Sequence, residues 1–216
     1  MVDPPATQPQ VIGRALSHRY EQGPWLFRGL DLHLLCGRVT ALTGPSGTGK
    51  STLLAILAGT LTATEGTVDR DGVRTITVIA QSAHGVPGRT ALDHITLPYL
   101  ATGLTRSEAE QQARLVAARF GIEHLLEAPY RHLSGGEAQR LMLARGAAQR
   151  SDLILADEPT ANLDTRNAAT VIAVLGALAA DGAVVVVATH DPAAREACDE
   201  VIDLAETARH DQSHTA

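Results

Sequence analysis

Lys50 is the only lysine in a 216-residue chain that carries seventeen arginines. A bias toward arginine wherever either cation serves would leave lysine only where a compact ammonium is needed, because the planar guanidinium is larger and forked. Position 50 lies in the run GPSGTGKST, in which Gly44, Gly49, Lys50 and Ser51 satisfy GxxxxGK[ST]. Glycines in such a loop let successive backbone N–H groups point inward at phosphate oxygens, and the N-terminus of the following helix adds partial positive charge. Gly44, Pro45, Ser46, Gly47, Thr48, Gly49, Lys50, Ser51 and Thr52 are thus expected to cradle ATP. Lys50 is placed for the β- and γ-phosphates and the Ser51 hydroxyl for Mg²⁺. A glycine-rich loop with no ligand is the plain alternative, and the apolar run before it and the helical run after it argue against that.

Two further segments carry chemistry. LILADE ends four mostly apolar residues on two acids, which puts Asp157 at the mouth of a buried strand, able to hold the metal through water, with Glu158 beside it to orient or deprotonate an attacking water. A solvated acidic turn is the bland alternative. LSGGEAQR spaces Ser134 and Glu137 as a capping box. Its helix would start with Gly135 and Gly136, which allow close approach to the first-turn N–H groups, so a second anion site is one reading and a well-capped helix the other.

Short apolar strands and amphipathic helices must position these groups. VTALT reads as a buried strand feeding the phosphate loop, LLAILA as the helix after it, and TITVIA as a strand that delivers Gln81 at its end. Leu30, Leu32 and Leu34 alternate with Asp31 and His33, the pattern of a strand with one wet face. GTVDRDG looks like a hairpin. TRSEAEQQARLVAARF is an amphipathic helix opened by Thr105 and Glu108, and residues about 90–150 are expected to form a helical subdomain. A helix follows Asp164, the strand VVVVA precedes His190, and VIDL is a short strand. Almost fully apolar strands alternating with helices imply an α/β fold with a mainly parallel sheet covered on both faces.

Composition narrows the class. The net charge of −6 disfavours nucleic acid as a partner, and no apolar run approaches the roughly 20 residues needed to span a bilayer. Cys36 and Cys198 form no paired pattern and read as packing residues in a reducing compartment. The segment 1–10, with an early acid and several prolines, reads as a disordered lead-in instead of a signal peptide. Residues 11–204 are expected to be one domain and 205–216 a flexible tail, in which His210 and His214 read as solvated side chains and not metal ligands.

Taken in order, these segments resemble the ATP-binding cassette (ABC) ATPases from about residue 10 to 204. GPSGTGKST is similar to the family's Walker A, Gln81 to its Q-loop glutamine, LSGGE to its signature, LILADE to its Walker B, ANLD to its D-loop and His190 to its switch histidine. Tyr20 is similar to the aromatic on which adenine stacks, with a packing tyrosine or a shift to Trp25 as alternatives. The resemblance implies a P-loop fold with a small antiparallel β subdomain and a helical subdomain, and ATP and Mg²⁺ as ligands. Lys50, Gln81, Glu158 and His190 would serve hydrolysis, and Ser51, Gln81 and Asp157 the metal. It also implies a head-to-tail dimer in which Ser134, Gly135, Gly136 and Glu137 meet the partner's nucleotide and Asp164 communicates across the interface. Such a cassette would sit on the cytoplasmic face of the membrane and drive transmembrane permease subunits. LADEPTANLDTRNA and ALDHITLPYLATGLTRSEA are similar to the subgroup that serves lipoprotein release and macrolide export. Departures from the family are a short Gly72–Gln81 segment, a SAHGVPGRT stretch without the usual aromatic and leucine residues, and no glycine turn after VIDL. Within the family, a cell-division relative that transmits force without moving a substrate is the alternative. A small-molecule kinase and the DNA-repair or translation relatives fit less well, the former because LSGGE and His190 are present.

Overall fold

The computed structural model describes residues 8–81, 84–161 and 163–205. Its centre is a parallel sheet built from β3 (Val39–Thr43), β5 (Ile76–Ile79), β6 (Leu153–Asp157), β7 (Val184–Ala188) and β8 (Glu200–Asp203), in the order β5-β6-β7-β3-β8. The three inner strands are VTALT, LILAD and VVVVA, and apart from Asp157 all their residues are buried. Apolar side chains on both faces of a strand require cover on both faces. Alternation sends them two ways: Val185 and Val187 face one cluster with Ile154 and Ala156, whereas Val184 and Val186 face another with Leu153 and Leu155.

Helices α2 (Ala91–Ala101), α3 (Arg106–Arg119), α4 (Gly135–Ala148) and α5 (Thr165–Ala180) cover the first face. Three of them open on complete capping boxes, Thr90 with Asp93, Thr105 with Glu108, and Ser134 with Glu137, so these helix starts are set by local chemistry. Asp164 caps α5 by accepting the backbone N–H of Asn167 at 2.9 Å. A short helix α6 (Pro192–Glu196) precedes β8.

The second face packs on α1 (Lys50–Ala58), which buries Leu53, Leu54, Ile56 and Leu57; each such side chain contributes about 1.5–3 kcal/mol on leaving water. Beyond α1 lies an antiparallel sheet of β2 (Phe27–Leu35), β1 (Gln10–His18) and β4 (Glu65–Asp71). In β2, Leu30, Leu32 and Leu34 are buried while Asp31 and His33 are exposed, as their alternation requires. GTVDRDG is not a hairpin. Its first six residues lie in the single strand β4, which pairs antiparallel with β1, Val11 opposite Arg70, and the chain then crosses to the parallel sheet as β5. Asp71-Gly72, with Gly72 at φ 67°, turns the chain between sheets.

Arg70 ties the two layers together. Its Nε and Nη2 donate to the carbonyls of Leu57 (2.8 Å) and Ile56 (2.7 Å) in the last turn of α1, where the left-handed Gly59 also donates its N–H to Ile56. β1 starts at Gln10, inside the span expected as lead-in, and the Pro9 carbonyl accepts from Cys36 N–H. Residues 1–7 and the histidines of the tail lie outside the described residues. Both cysteines are free and half-buried. Burial first, and then Asp199, push the Cys198 thiol up to about 11, so it packs as a neutral group.

Candidate active site

Parallel strands all end on the same side, and the ends of β3, β5, β6 and β7 frame a cleft of about 450 Å³. Ser46, Gly47, Gly49, Lys50, Ser51 and Thr52 line it from the loop after β3 and the start of α1. Gln81 comes from the end of β5, Asp157 and Glu158 from β6, His190 from β7, and Tyr20 and Leu26 from the antiparallel layer.

The loop adopts backbone that side chains would oppose. Gly44, Gly47 and Gly49 have φ of 140°, 84° and 96°. A Cβ at Gly44 would meet Thr48 Oγ1 at 2.8 Å, and one at Gly49 would meet Leu26 Cβ at 3.0 Å, so both positions demand glycine for space as well as for φ. Thr48 Oγ1 donates to the Pro45 carbonyl at 2.9 Å, which braces the turn. α1 then begins with no side-chain cap and no acid in its first turn. Its first N–H groups and its dipole therefore face the cleft without a counter-charge from the helix itself. Lys50 Nζ donates to the carbonyls of Gly44 (2.8 Å) and Pro45 (3.3 Å), curled over its own loop.

Across the cleft, Glu158 and His190 meet. β6 and β7 are parallel neighbours with Asp157 beside Ala188, and the residues just past those ends fall together. His190 Nδ1 lies 2.8 Å from Glu158 Oε1, and His190 N–H reaches Oε2 at 3.4 Å. The Glu158 side chain is 10% exposed and that of His190 70%. An ionised carboxylate only accepts, so the bond places hydrogen on Nδ1. Glu158 is also a non-glycine residue at φ 47°, a conformation that costs on the order of 1–3 kcal/mol and concentrates at functional sites. Its N–H donates to the Ala188 carbonyl at 2.8 Å, which helps hold that backbone.

Tyr20 is 57% exposed yet held from two sides. Its hydroxyl pairs with Thr52 Oγ1 at 3.2 Å, and its ring meets His18 edge-on with centroids 4.9 Å apart. Trp25, the other candidate aromatic, instead carries the guanidinium groups of Arg19 and Arg28 at 4.6 and 5.2 Å from its ring centroid, and it does not line the cleft. Leu26 went unnoticed in the sequence. It reaches the cleft because its N–H bonds the His18 carbonyl at 2.9 Å, a pairing between strands that no local pattern announces.

The second anion candidate is elsewhere: none of Ser134, Gly135, Gly136, Glu137 or Asp164 lines the cleft. Ser134 caps α4 and is engaged by Glu137, its Oγ donating to Oε2 at 2.7 Å and its N–H to the same oxygen at 2.8 Å. The Ser134 hydroxyl, helped by its N–H, holds the Glu137 carboxyl below the usual range. Bonds from the N–H and side chain of Asn167 do the same for Asp164. Arg140 is buried and its charge acts on both acids, a link the motif reading missed.

A scan of protein-family models matches residues 27–161 to one described as ABC transporter. The chain belongs to the ABC transporter family. Among curated relatives, it is 36% identical to the "Lipoprotein-releasing system ATP-binding protein LolD" of Xylella fastidiosa strain Temecula1, over 92% of this chain and 90% of the relative. It is 33% identical to the "Macrolide export ATP-binding/permease protein MacB" of Rhodopseudomonas palustris strain BisB18, over 91% of this chain but only 33% of that protein. Among solved structures, the dimeric bacterial ABC transporter cassette MJ0796 superposes with a TM-score of 0.79 at 25% identity, over 89% of this chain and 93% of that one. An inward-facing metal-chelate type ABC transporter gives 0.78 at 28% identity, over 91% and 80%. The chain is thus an ABC ATPase cassette with the α/β architecture of that family, and its members hydrolyse ATP.

Proposed function

We propose that this ABC ATPase energises a membrane complex of the lipoprotein-release or macrolide-export type, by closing as a head-to-tail dimer around two ATP and opening on hydrolysis. The observation that carries the reading is the separation of two anion-binding helix starts. The cleft at α1 offers Lys50 and unoccupied N–H groups on one side and Glu158 with His190 on the other, whereas the Ser134 end of α4 takes no part in it. A second copy would supply that end. Relatives named for lipoprotein release and macrolide export, and a neighbour titled as a dimeric cassette, support the same reading.

Within this reading Lys50 and the loop N–H groups bind the β- and γ-phosphates, and Tyr20 offers its exposed ring to the adenine. Glu158 takes the proton of the attacking water, with His190 holding its carboxylate in place. Ser51, Gln81 and Asp157 are oxygen donors on one cleft, a hard set that fits Mg²⁺; bound there, the ion would neutralise phosphate charge. Ser134 and Gly136 act in trans on the partner's γ-phosphate, and Asp164 lies at the interface. No helix among the described residues is long and apolar enough to cross a membrane, and the cassette works peripherally, on the cytoplasmic side, through transmembrane permease subunits.

Glu158→Gln is the test. The variant should dimerise with ATP and dissociate with ADP, read by light scattering, because the closed state can form but not resolve. A monomer under both conditions would refute the dimer mechanism.

A further inference from the structure

A second cavity, a space of about 530 Å³, lies at the opposite ends of the same strands from the nucleotide cleft. Ser151 and Asp152, just before β6, and Gly182 and Ala183, just before β7, line its floor. Asp157 lies at the far end of β6, roughly 16 Å away at about 3.3 Å per residue. The cavity therefore shares a strand with the active site but none of its residues.

One wall is apolar, made of Leu115 and Val116 of α3, Ile154 of β6 and Leu178 of α5. Leu115 is 59% exposed, an unusual place to leave a leucine beside a hollow of ligand size. Two cations line the cavity as well, Arg119 from the end of α3 and Arg150 just past α4. Arg150 sits at φ 50°, a left-handed strain that a non-glycine residue keeps only where its surroundings impose it. Tyr99 of α2 lines the same cavity as both cations. The cavity also holds two acids, Asp152 and Asp181. Asp152 Oδ2 already accepts the N–H groups of Arg74 and Thr75 and the Thr75 hydroxyl, at 2.8, 2.9 and 3.0 Å, and Asp181 lies exposed on the rim.

We infer that this cavity binds a small amphiphilic carboxylate, its head on Arg150, Arg119 and the Tyr99 hydroxyl and its apolar body along Leu115, Val116 and Leu178. Two forked cations beside a phenol suit a carboxylate better than an ammonium. The apolar wall distinguishes such a ligand from a bare anion.

Calorimetric titration of the purified 216-residue chain tests the inference with octanoate as probe. Octanoate should bind saturably at one site, at least about tenfold more tightly than acetate, which lacks the body, octan-1-ol, which lacks the charge, or octylammonium, which reverses it. Arg150→Gly removes the guanidinium while relieving the left-handed strain. It should weaken octanoate at least about tenfold, the loss of one charge-assisted hydrogen bond, with ATP affinity unchanged. Arg119→Gln, on the exposed end of α3, supplies the same measurement should the first variant fail to fold. No saturable octanoate binding, an equal affinity for any of the three controls, or an unchanged affinity in a folded variant would overturn the assignment.

Discussion

The starts of α1 and α4 follow opposite solutions to one problem. Every α-helix begins with N–H groups that lack intrahelical acceptors. At α4 the protein meets part of that need from within: the Ser134 hydroxyl accepts the Glu137 N–H and the Glu137 carboxylate accepts that of Ser134. At α1 it supplies neither a capping side chain nor an acid, and leaves the donors to whatever enters the cleft. A helix start completed by its own side chains is stable alone, while one left open stabilises a bound anion instead. An anion arriving at the α4 end must compete with Glu137 for Ser134, a cost absent at α1, and that asymmetry suits the permanent and the dimer-dependent site of the proposed mechanism.

The sharpest way to break the comparison is to give α1 what α4 has. Ser51→Asp places a carboxylate in the open first turn, and should cut ATP affinity by a hundredfold or more, read by equilibrium binding, while thermal stability holds or rises. Lys50→Arg keeps the charge but not the shape, and a loss of about tenfold or more in ATP binding or turnover is expected; unchanged ATPase activity would mean the lone lysine is a compositional accident. Ser134→Ala at the closed end should do the reverse. It removes a cap worth about 1 kcal/mol, lowering Tm by roughly 2–4 °C in a chain of this size, with ATP affinity of the isolated monomer unaltered.

The smallest effect is in pH. Glu137 titrates below its ordinary 4.5 because Ser134 donates to it. Its contribution is therefore complete above about 4.5, the unfolded value, and is lost as pH falls through the lower folded value. Glu137→Gln should be less stable than the parent at neutral pH and converge with it in acid. A constant gap in Tm across that range would show that the carboxylate charge does not hold the cap.

Both helix starts were legible in the sequence because capping and glycine loops are local: GPSGTGKST and the Ser134–Glu137 spacing carry their own geometry. The strands VTALT, LILAD and VVVVA were equally plain, since burial on both faces forces unbroken apolar runs. What stayed hidden depends on pairing between distant residues. GTVDRDG read as a hairpin because Asp-Gly turns usually make one, yet the partner of β4 is β1, its paired residues 48 to 61 positions earlier (Ser17 with Glu65, Gln10 with Asp71). The contact of Glu158 with His190 was unreadable for the same reason. Each residue marks its own strand end, but only the adjacency of β6 and β7 and their register bring the two within 2.8 Å. The left-handed backbone at Glu158 had no signal at all, being imposed by its neighbours against its own preference.

Arg70 gives the α1 end a mechanical character as well. The sheet whose strand β1 leads into Tyr20 also grips the last carbonyls of α1 through this one guanidinium, while the Tyr20 hydroxyl touches Thr52 in the first turn of the same helix. Clamped head and foot by a single layer, α1 cannot tilt without carrying the aromatic ring along. With the base on Tyr20 and the phosphates at Lys50, as proposed above, the cleft would act as a fixed-span caliper that gauges a nucleotide by the distance between the two.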